Sequence, residues 1–405
     1  MAQPVSAPLA VIVVTCGLLI AAGQTAVQSA AAQWVTAWAT SQQVLGTTVI
    51  SNATVRLMAR VTAPGHSIRV RLDNTFGTAP LVIGAAHAGT RALGAALVTG
   101  SSQPVRFAGA AGVTIPPGGT VVSDAVQMTV LEGQDVAVSL YIPGADVRPS
   151  QHAGAFATSF LSANGSGDVS ADESRTPFSG TTTSMFWLKS IDVLSNYRGT
   201  IVAVGDSITD GTCSTVDAQN RWVDLVSLRM ELDGRIRKAI VNEGIAGNTI
   251  SQNVRPGPDS PPALDRFERD VLSHHGVTDV VVFIGTNDIR REATASQVIA
   301  GLDEIIQRVR GRKARVFGAT IIPRHNVAPS GTNTGWNPAK TQIRNEVNAW
   351  IRSRGRFDGV LDFDRVVRDP RDPDRIRPTF NCDDIHPSVR GYYEMARSVR
   401  LGFFR

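Results

Sequence analysis

The hydrophobic pattern of this chain changes period once, near Arg198, and that change limits the folds open to it. Upstream, apolar and polar residues alternate, as in Thr54-Val55-Arg56-Leu57-Met58-Ala59-Arg60-Val61 and Ser67-Ile68-Arg69-Val70-Arg71-Leu72. A period of two is that of a strand buried on one face. Further strands are expected over 105–107, 120–122, 126–131 and 136–142, with Pro116-Pro117-Gly118-Gly119 as one of the turns. Short strands so punctuated predict an antiparallel β-sandwich.

Downstream the strands become continuous apolar runs: Ile201-Val202-Ala203-Val204, Val280-Val281-Val282-Phe283-Ile284, and the nearly apolar stretch 315–321. Such runs suit strands covered on both faces, hence a parallel sheet. Amphipathic helical stretches lie between them at 221–232, 295–310 and 340–352. Alternating strand and helix predicts an α/β layer architecture, in which ligands bind beyond the carboxyl ends of the strands.

The first 32 residues carry no charge, and residues 9–22 form an almost unbroken apolar run followed by Ala30-Ala31-Ala32. This reads as a secretory signal over 1–32, with an uncleaved anchor as the competing reading. Residues 33–197 are then a β domain of open role and 198–405 an α/β domain. Cys16 leaves with the signal, so the mature chain keeps Cys213 and Cys382, an even pair that permits one disulfide in an oxidising compartment. The net charge of +5 comes from dispersed arginines with no basic block interleaved with aromatics, which argues against nucleic acid and leaves an acidic cell surface as a candidate neighbour.

Polar, glycine-rich segments follow three predicted strands: Gly205-Asp206-Ser207-Ile208-Thr209-Asp210-Gly211, then Asn242-Glu243-Gly244-Ile245-Ala246-Gly247-Asn248, then Gly285-Thr286-Asn287-Asp288. Asp383-Asp384-Ile385-His386-Pro387 precedes a last helical stretch. A serine hydroxyl needs a base, a carboxylate to orient that base, and donors for an oxyanion. Asp383 and His386, three apart, can share one face, and Asp384 is the weaker alternative. Ser207 and Gly247 can offer backbone N–H groups and Asn287 a side-chain amide. Asp206 is expected to stabilise its turn, and Asn242 and Glu243 to serve structural hydrogen bonds.

These four blocks resemble those of the SGNH, or GDSL-type, hydrolases over residues 200–405. The resemblance implies a flavodoxin-like three-layer α/β/α fold and a serine esterase without metal or cofactor. It implies Ser207 as nucleophile, His386 as base then acid and Asp383 as its orienter. The oxyanion hole falls to Ser207 N–H, Gly247 N–H and Asn287 Nδ2. The N-terminal region, with Trp34-Val35-Thr36-Ala37-Trp38-Ala39-Thr40, resembles leader domains found with this catalytic type in some exported bacterial proteins.

With the site so placed, Cys213 and Cys382 flank the same pocket, and a disulfide between them is favoured over two free thiols. Trp336 and His325, in the loop 324–339, are candidate substrate contacts, with a loop anchored by its tryptophan as the equal alternative. His274-His275 lacks a third ligand at metal spacing and reads as a helix end. The expected substrate is a carboxylic ester of a carbohydrate, with lipid ester hydrolysis, acyl transfer and non-enzymatic surface glycan binding as alternatives. Oligomeric state is not legible.

Overall fold

The computed structural model describes residues 1–3, 31–252, 260–326, 335–353 and 355–405. The expected signal segment falls almost wholly on residues outside these. Among the described residues no helix is long and apolar enough to cross a membrane.

Residues 33–195 form antiparallel sheets. One runs in the order Gln33–Ala39, Leu188–Ser195, Gly65–Asp73, with Thr120–Val122 and Val126–Val130 both paired along Gly65–Asp73. The larger sheet runs Phe178–Thr182, Ser159–Ser162, Ala53–Arg60, Asp135–Ile142, Ala85–Leu93. The alternation seen in the sequence becomes burial: Val55, Leu57, Val136, Val138 and Leu140 from one sheet meet Ile68, Val70, Leu72, Ile191 and Val193 from the other in one apolar core. This arrangement fits a β-sandwich. The strand expected at 105–107 is replaced by a short pairing at Gln103–Pro104 and an isolated Phe107–Ala110 bridge. Val105 and Phe107 are still buried, so their apolarity reflects core filling by a loop.

The C-terminal half is built on a parallel sheet of β1 (Thr200–Gly205), β2 (Ala239–Gly244), β3 (Val277–Phe283), β4 (Arg315–Ala319) and β5 (Gly359–Leu361), ordered 2-1-3-4-5. The side chains of β1 alternate between two separate cores: Val202 and Val204 join one, Ile201 and Ala203 the other. Both faces are therefore covered, which is why its run is continuously apolar. Helices α2 (Trp222–Asp233), α5 (Ala295–Gly311), α6 (Pro338–Arg352) and α8 (Val389–Ser398) supply the covering layers. Strand β5, three residues long, gave no period in the sequence.

The two halves meet through backbone and buried charge. Thr36 N–H donates to His275 O (3.0 Å), Thr200 Oγ1 to Thr36 O (3.0 Å) and Thr62 Oγ1 to Ile240 O (3.0 Å). Lys189 of the β region, 1% exposed, places Nζ 2.7 Å from Asp270 and 3.4 Å from Asp73, both fully buried. Burial pushes the Asp270 carboxyl up, but Lys189 and Arg269 overcome it and hold the group well below the usual carboxylate range. Truncating one member of a buried ion set strands the others. Lys189→Met should therefore cost about 3–5 kcal/mol in chemical denaturation, and a loss below about 1 kcal/mol would show the two carboxylates to be neutralised without it.

Candidate active site

Strand β1 ends at Gly205 because nothing larger fits: a Cβ there would lie 2.2 Å from Thr209 Oγ1 and 2.6 Å from Phe283 O. The chain then turns into α1 (Ser207–Asp210), whose N-cap is Asp206, with Oδ1 accepting from Ile208 N–H at 3.0 Å. Ser207 thus stands at the first position of a short helix, beyond the carboxyl end of β1. It is 8% exposed.

Ser207 Oγ lies 2.8 Å from His386 Nε2, and His386 Nδ1 lies 2.8 Å from Asp383 Oδ2. Asp383 Oδ1 also accepts from the backbone N–H groups of His386 (2.8 Å) and Ile385 (3.1 Å), so the three-residue spacing folds the carboxylate back onto its own histidine. Partial burial would raise the Asp383 carboxyl, but the hydrogen bond and charge of His386 outweigh it and hold the group at about 2. An ionised Asp383 accepts a hydrogen bond from Nδ1–H and so holds the proton on that nitrogen, which leaves Nε2 to accept from the serine hydroxyl. Asp384 instead accepts from Asn381 Nδ2 at 2.8 Å, which excludes it as the orienter in this geometry.

The other two blocks flank this line. Gly247 has φ +74°, a conformation that favours glycine, and the space where its side chain would stand is open. Asn287 lies in the first turn of α4 (Thr286–Arg290) and donates Nδ2–H to Asn248 O at 3.1 Å, which ties it to the residue after Gly247 and leaves a second N–H for another acceptor. Asp288 accepts from Ile250 N–H through both oxygens, at 3.0 and 3.1 Å. The two loops are therefore locked together behind the site.

Cys213 and Cys382 form a disulfide with Cα atoms 6.5 Å apart. The bridge joins the segment after Ser207 to the residue before Asp383, and Tyr392 of α8 adds a hydrogen bond to Thr212 O (2.7 Å). Cys213, Asp383 and His386 present ligand atoms within 4.8 Å of one another, but a disulfide sulfur offers a metal no thiolate.

His325 sits beside this turn, its N–H donating to Asp384 O at 2.9 Å and its Nε2 2.6 Å from Arg375. Of the two readings of Trp336, substrate contact or loop anchor, its placement matches the second. It is 4% exposed, packed in the core beneath α5 and α6, with Nε1–H donating to Thr341 Oγ1 (3.0 Å), as a loop anchor would be. His274 lies just beyond the helical segment Glu268–Leu272, and its Nε2 meets Glu243 Oε1 at 2.6 Å.

Sequence reasoning missed Arg266, which is 1% exposed. Its guanidinium donates to Gly205 O (3.3 Å), Glu243 O (3.0 Å), Asn248 Oδ1 (3.1 and 3.2 Å) and Ser41 Oγ (2.7 Å). It joins the ends of β1 and β2 to the β region. Arg324, 2% exposed, was missed too. Burial lowers its guanidinium to about 9, while the carboxylates of Asp206 and Asp383 favour its charge. Both arginines read as ordinary solvated cations in a linear sequence.

Residues 203–393 match the GDSL-like Lipase/Acylhydrolase family, and this half of the chain is a hydrolase domain of that family. Solved structures similar to it include a GDSL-like lipase from Bacteroides thetaiotaomicron (18% identity, 50% of this chain and 87% of that one, TM-score 0.36). Others are a member of the lipolytic G-D-S-L family from Veillonella parvula (18%, 49% and 94%, 0.36) and a carbohydrate acetylesterase from Sinorhizobium meliloti (17%, 49% and 95%, 0.39). No curated protein matches the chain.

Burial raises two carboxyls here, Asp206 to about 6 and Asp288 to about 7, against the N–H groups that each accepts from. Both bind a proton more tightly folded than unfolded. The stability they contribute is full below the ordinary value near 3.8 and is lost as pH rises through about 7. Asp288→Asn should flatten the stability profile across that window, measured by denaturant unfolding at its two ends. A profile as steep as that of the parent would assign the slope elsewhere.

Proposed function

We propose that this protein is an exported serine esterase that cleaves carboxylic esters through an acyl-enzyme on Ser207. The observation that carries this reading is the unbroken hydrogen-bonded line Ser207–His386–Asp383, with 2.8 Å at each step, beside Gly247 and Asn287. Ser207 Oγ attacks the ester carbonyl as its proton passes to His386 Nε2. Asp383 stabilises the imidazolium that results. The negative charge on the former carbonyl oxygen is met by the N–H groups of Ser207 and Gly247 and by Asn287 Nδ2. The tetrahedral adduct collapses, the C–O bond breaks, and the alcohol leaves with the proton from His386. Water, deprotonated by the same imidazole, then attacks the acyl-enzyme and frees the acid and Ser207.

The favoured substrate is a short acyl group on a carbohydrate. We base this on the antiparallel β region joined to a hydrolase domain that carries no broad apolar lid among the described residues, an analogy of architecture. Residues 33–197 serve as a β-sandwich domain and 198–405 as a flavodoxin-like three-layer domain. Export is supported by the uncharged N-terminal segment and by the disulfide, a bond that persists in oxidising compartments. The net charge of +5 favours an acidic surface as its setting.

The test is hydrolysis of aryl esters of increasing acyl length by the full chain and by Ser207→Ala, with and without a polyol acceptor. The variant should lose about 10³-fold or more in kcat, and equal activity would sink the mechanism. Acetyl preference supports deacetylation, long-chain preference a lipid substrate, and a new ester on the polyol an acyltransferase.

A further inference from the structure

The N-terminal β region reaches the proposed site through one buried histidine. His152, on the strand Ser150–His152, is 2% exposed. Its Nδ1 faces Ser41 O at 2.9 Å and its Nε2 faces Asp210 Oδ1 at 3.1 Å. Asp210 is the last residue of α1, the helix that Ser207 opens, and is itself 3% exposed. Its second oxygen accepts from Ala246 N–H at 2.9 Å. Ala246 is exposed as a side chain, and it immediately precedes Gly247.

Chemistry assigns the protons. A carbonyl only accepts, so Nδ1–H donates to Ser41 O. With one proton on Nδ1, the Nε2 lone pair and a carboxylate oxygen would face each other as two acceptors at 3.1 Å, so a second proton lies between Nε2 and Asp210. Burial opposes a charge on His152, but Asp210 outweighs it and raises the imidazole above its ordinary value.

We propose that His152 is a positioning residue for the oxyanion loop. By gripping one oxygen of Asp210 it aims the other at the Ala246 N–H, and so fixes the Gly247 amide relative to Ser207. The β region is then part of the active site and more than a neighbour of it. This rests on the oxyanion role given to Gly247 above. A donor displaced by an ångström loses most of its effect on the transition state while leaving ground-state binding intact.

Two isosteres separate this role from simple cohesion. In His152→Asn the amide can replace Nδ1 and keep Ser41, but Asp210 is released. In His152→Gln the amide can replace Nε2 and keep Asp210. In the full chain, His152→Asn should lose about ten- to hundredfold in kcat on a short aryl ester with KM within about twofold. His152→Gln should recover at least about fivefold of that loss. Hydrogen exchange should find the Ala246 amide protected in the parent and about tenfold or more faster in His152→Asn.

Equal losses in the two variants, or a folded His152→Asn with parental kcat, would overturn the proposal. So would an Ala246 amide that exchanges at the free-peptide rate in the parent. If His152→Asn does not fold, Asp210→Asn, which keeps an acceptor for Ala246 but not the charge His152 grips, should show a smaller kcat loss of the same kind, and parental kcat there counts against it. A parent inactive on every ester would sink the esterase reading, and the exchange measurement would still decide the clamp.

Discussion

A guanidinium taken wholly out of water must have nearly every N–H matched, and at Arg266 that requirement organises the C-terminal half. Its partners are the carbonyls that end two neighbouring parallel strands, the amide side chain beside Gly247 and a serine hydroxyl from the β region. Shifting any of these segments would leave a buried charge short of a partner. The cation also stands 3.5 Å from Asp270, which is gripped in turn by Lys189 and Arg269. Charges of alternating sign therefore run from the β region to the strand ends, each neutralised by the next. Apolar packing holds each half together within itself; this chain of charges sets the register between them.

What was legible in the sequence was local. Gly205-Asp206-Ser207 is a strand end, a cap and a helix start within three residues, and Asp383 folds onto His386 within one turn. Such features carry their own geometry, so their residue types announce them. The period change near Arg198 was legible for the same reason, because burial on one face or two is written into consecutive residues.

What was not legible depends on distance along the chain. Arg266 and Ser41 are 225 residues apart, and His152 and Asp210 are 58 apart, on a strand of the β region and a helix of the C-terminal half. No window of sequence reveals that such residues are dry, and a charged side chain is ordinarily a solvated one. Trp336 left two readings open, substrate contact or loop anchor, because a polar, glycine-containing loop does not say whether its ring is covered; the ring is core and its N–H is satisfied by Thr341. Val105 and Phe107 signalled burial correctly and secondary structure wrongly.

The disulfide closes a separation of 169 residues, and the hydrogen bond from Ser207 to His386 closes 179. Between those ends lie the strands β2 to β5, so in the native fold both links depend on the parallel sheet to bring distant segments together. Ser207 is an unremarkable alcohol in any shorter or partly folded chain. On the proposed role of Ser207, its reactivity toward an electrophile is a readout of completed folding, and a covalent serine probe would count native molecules and ignore the rest.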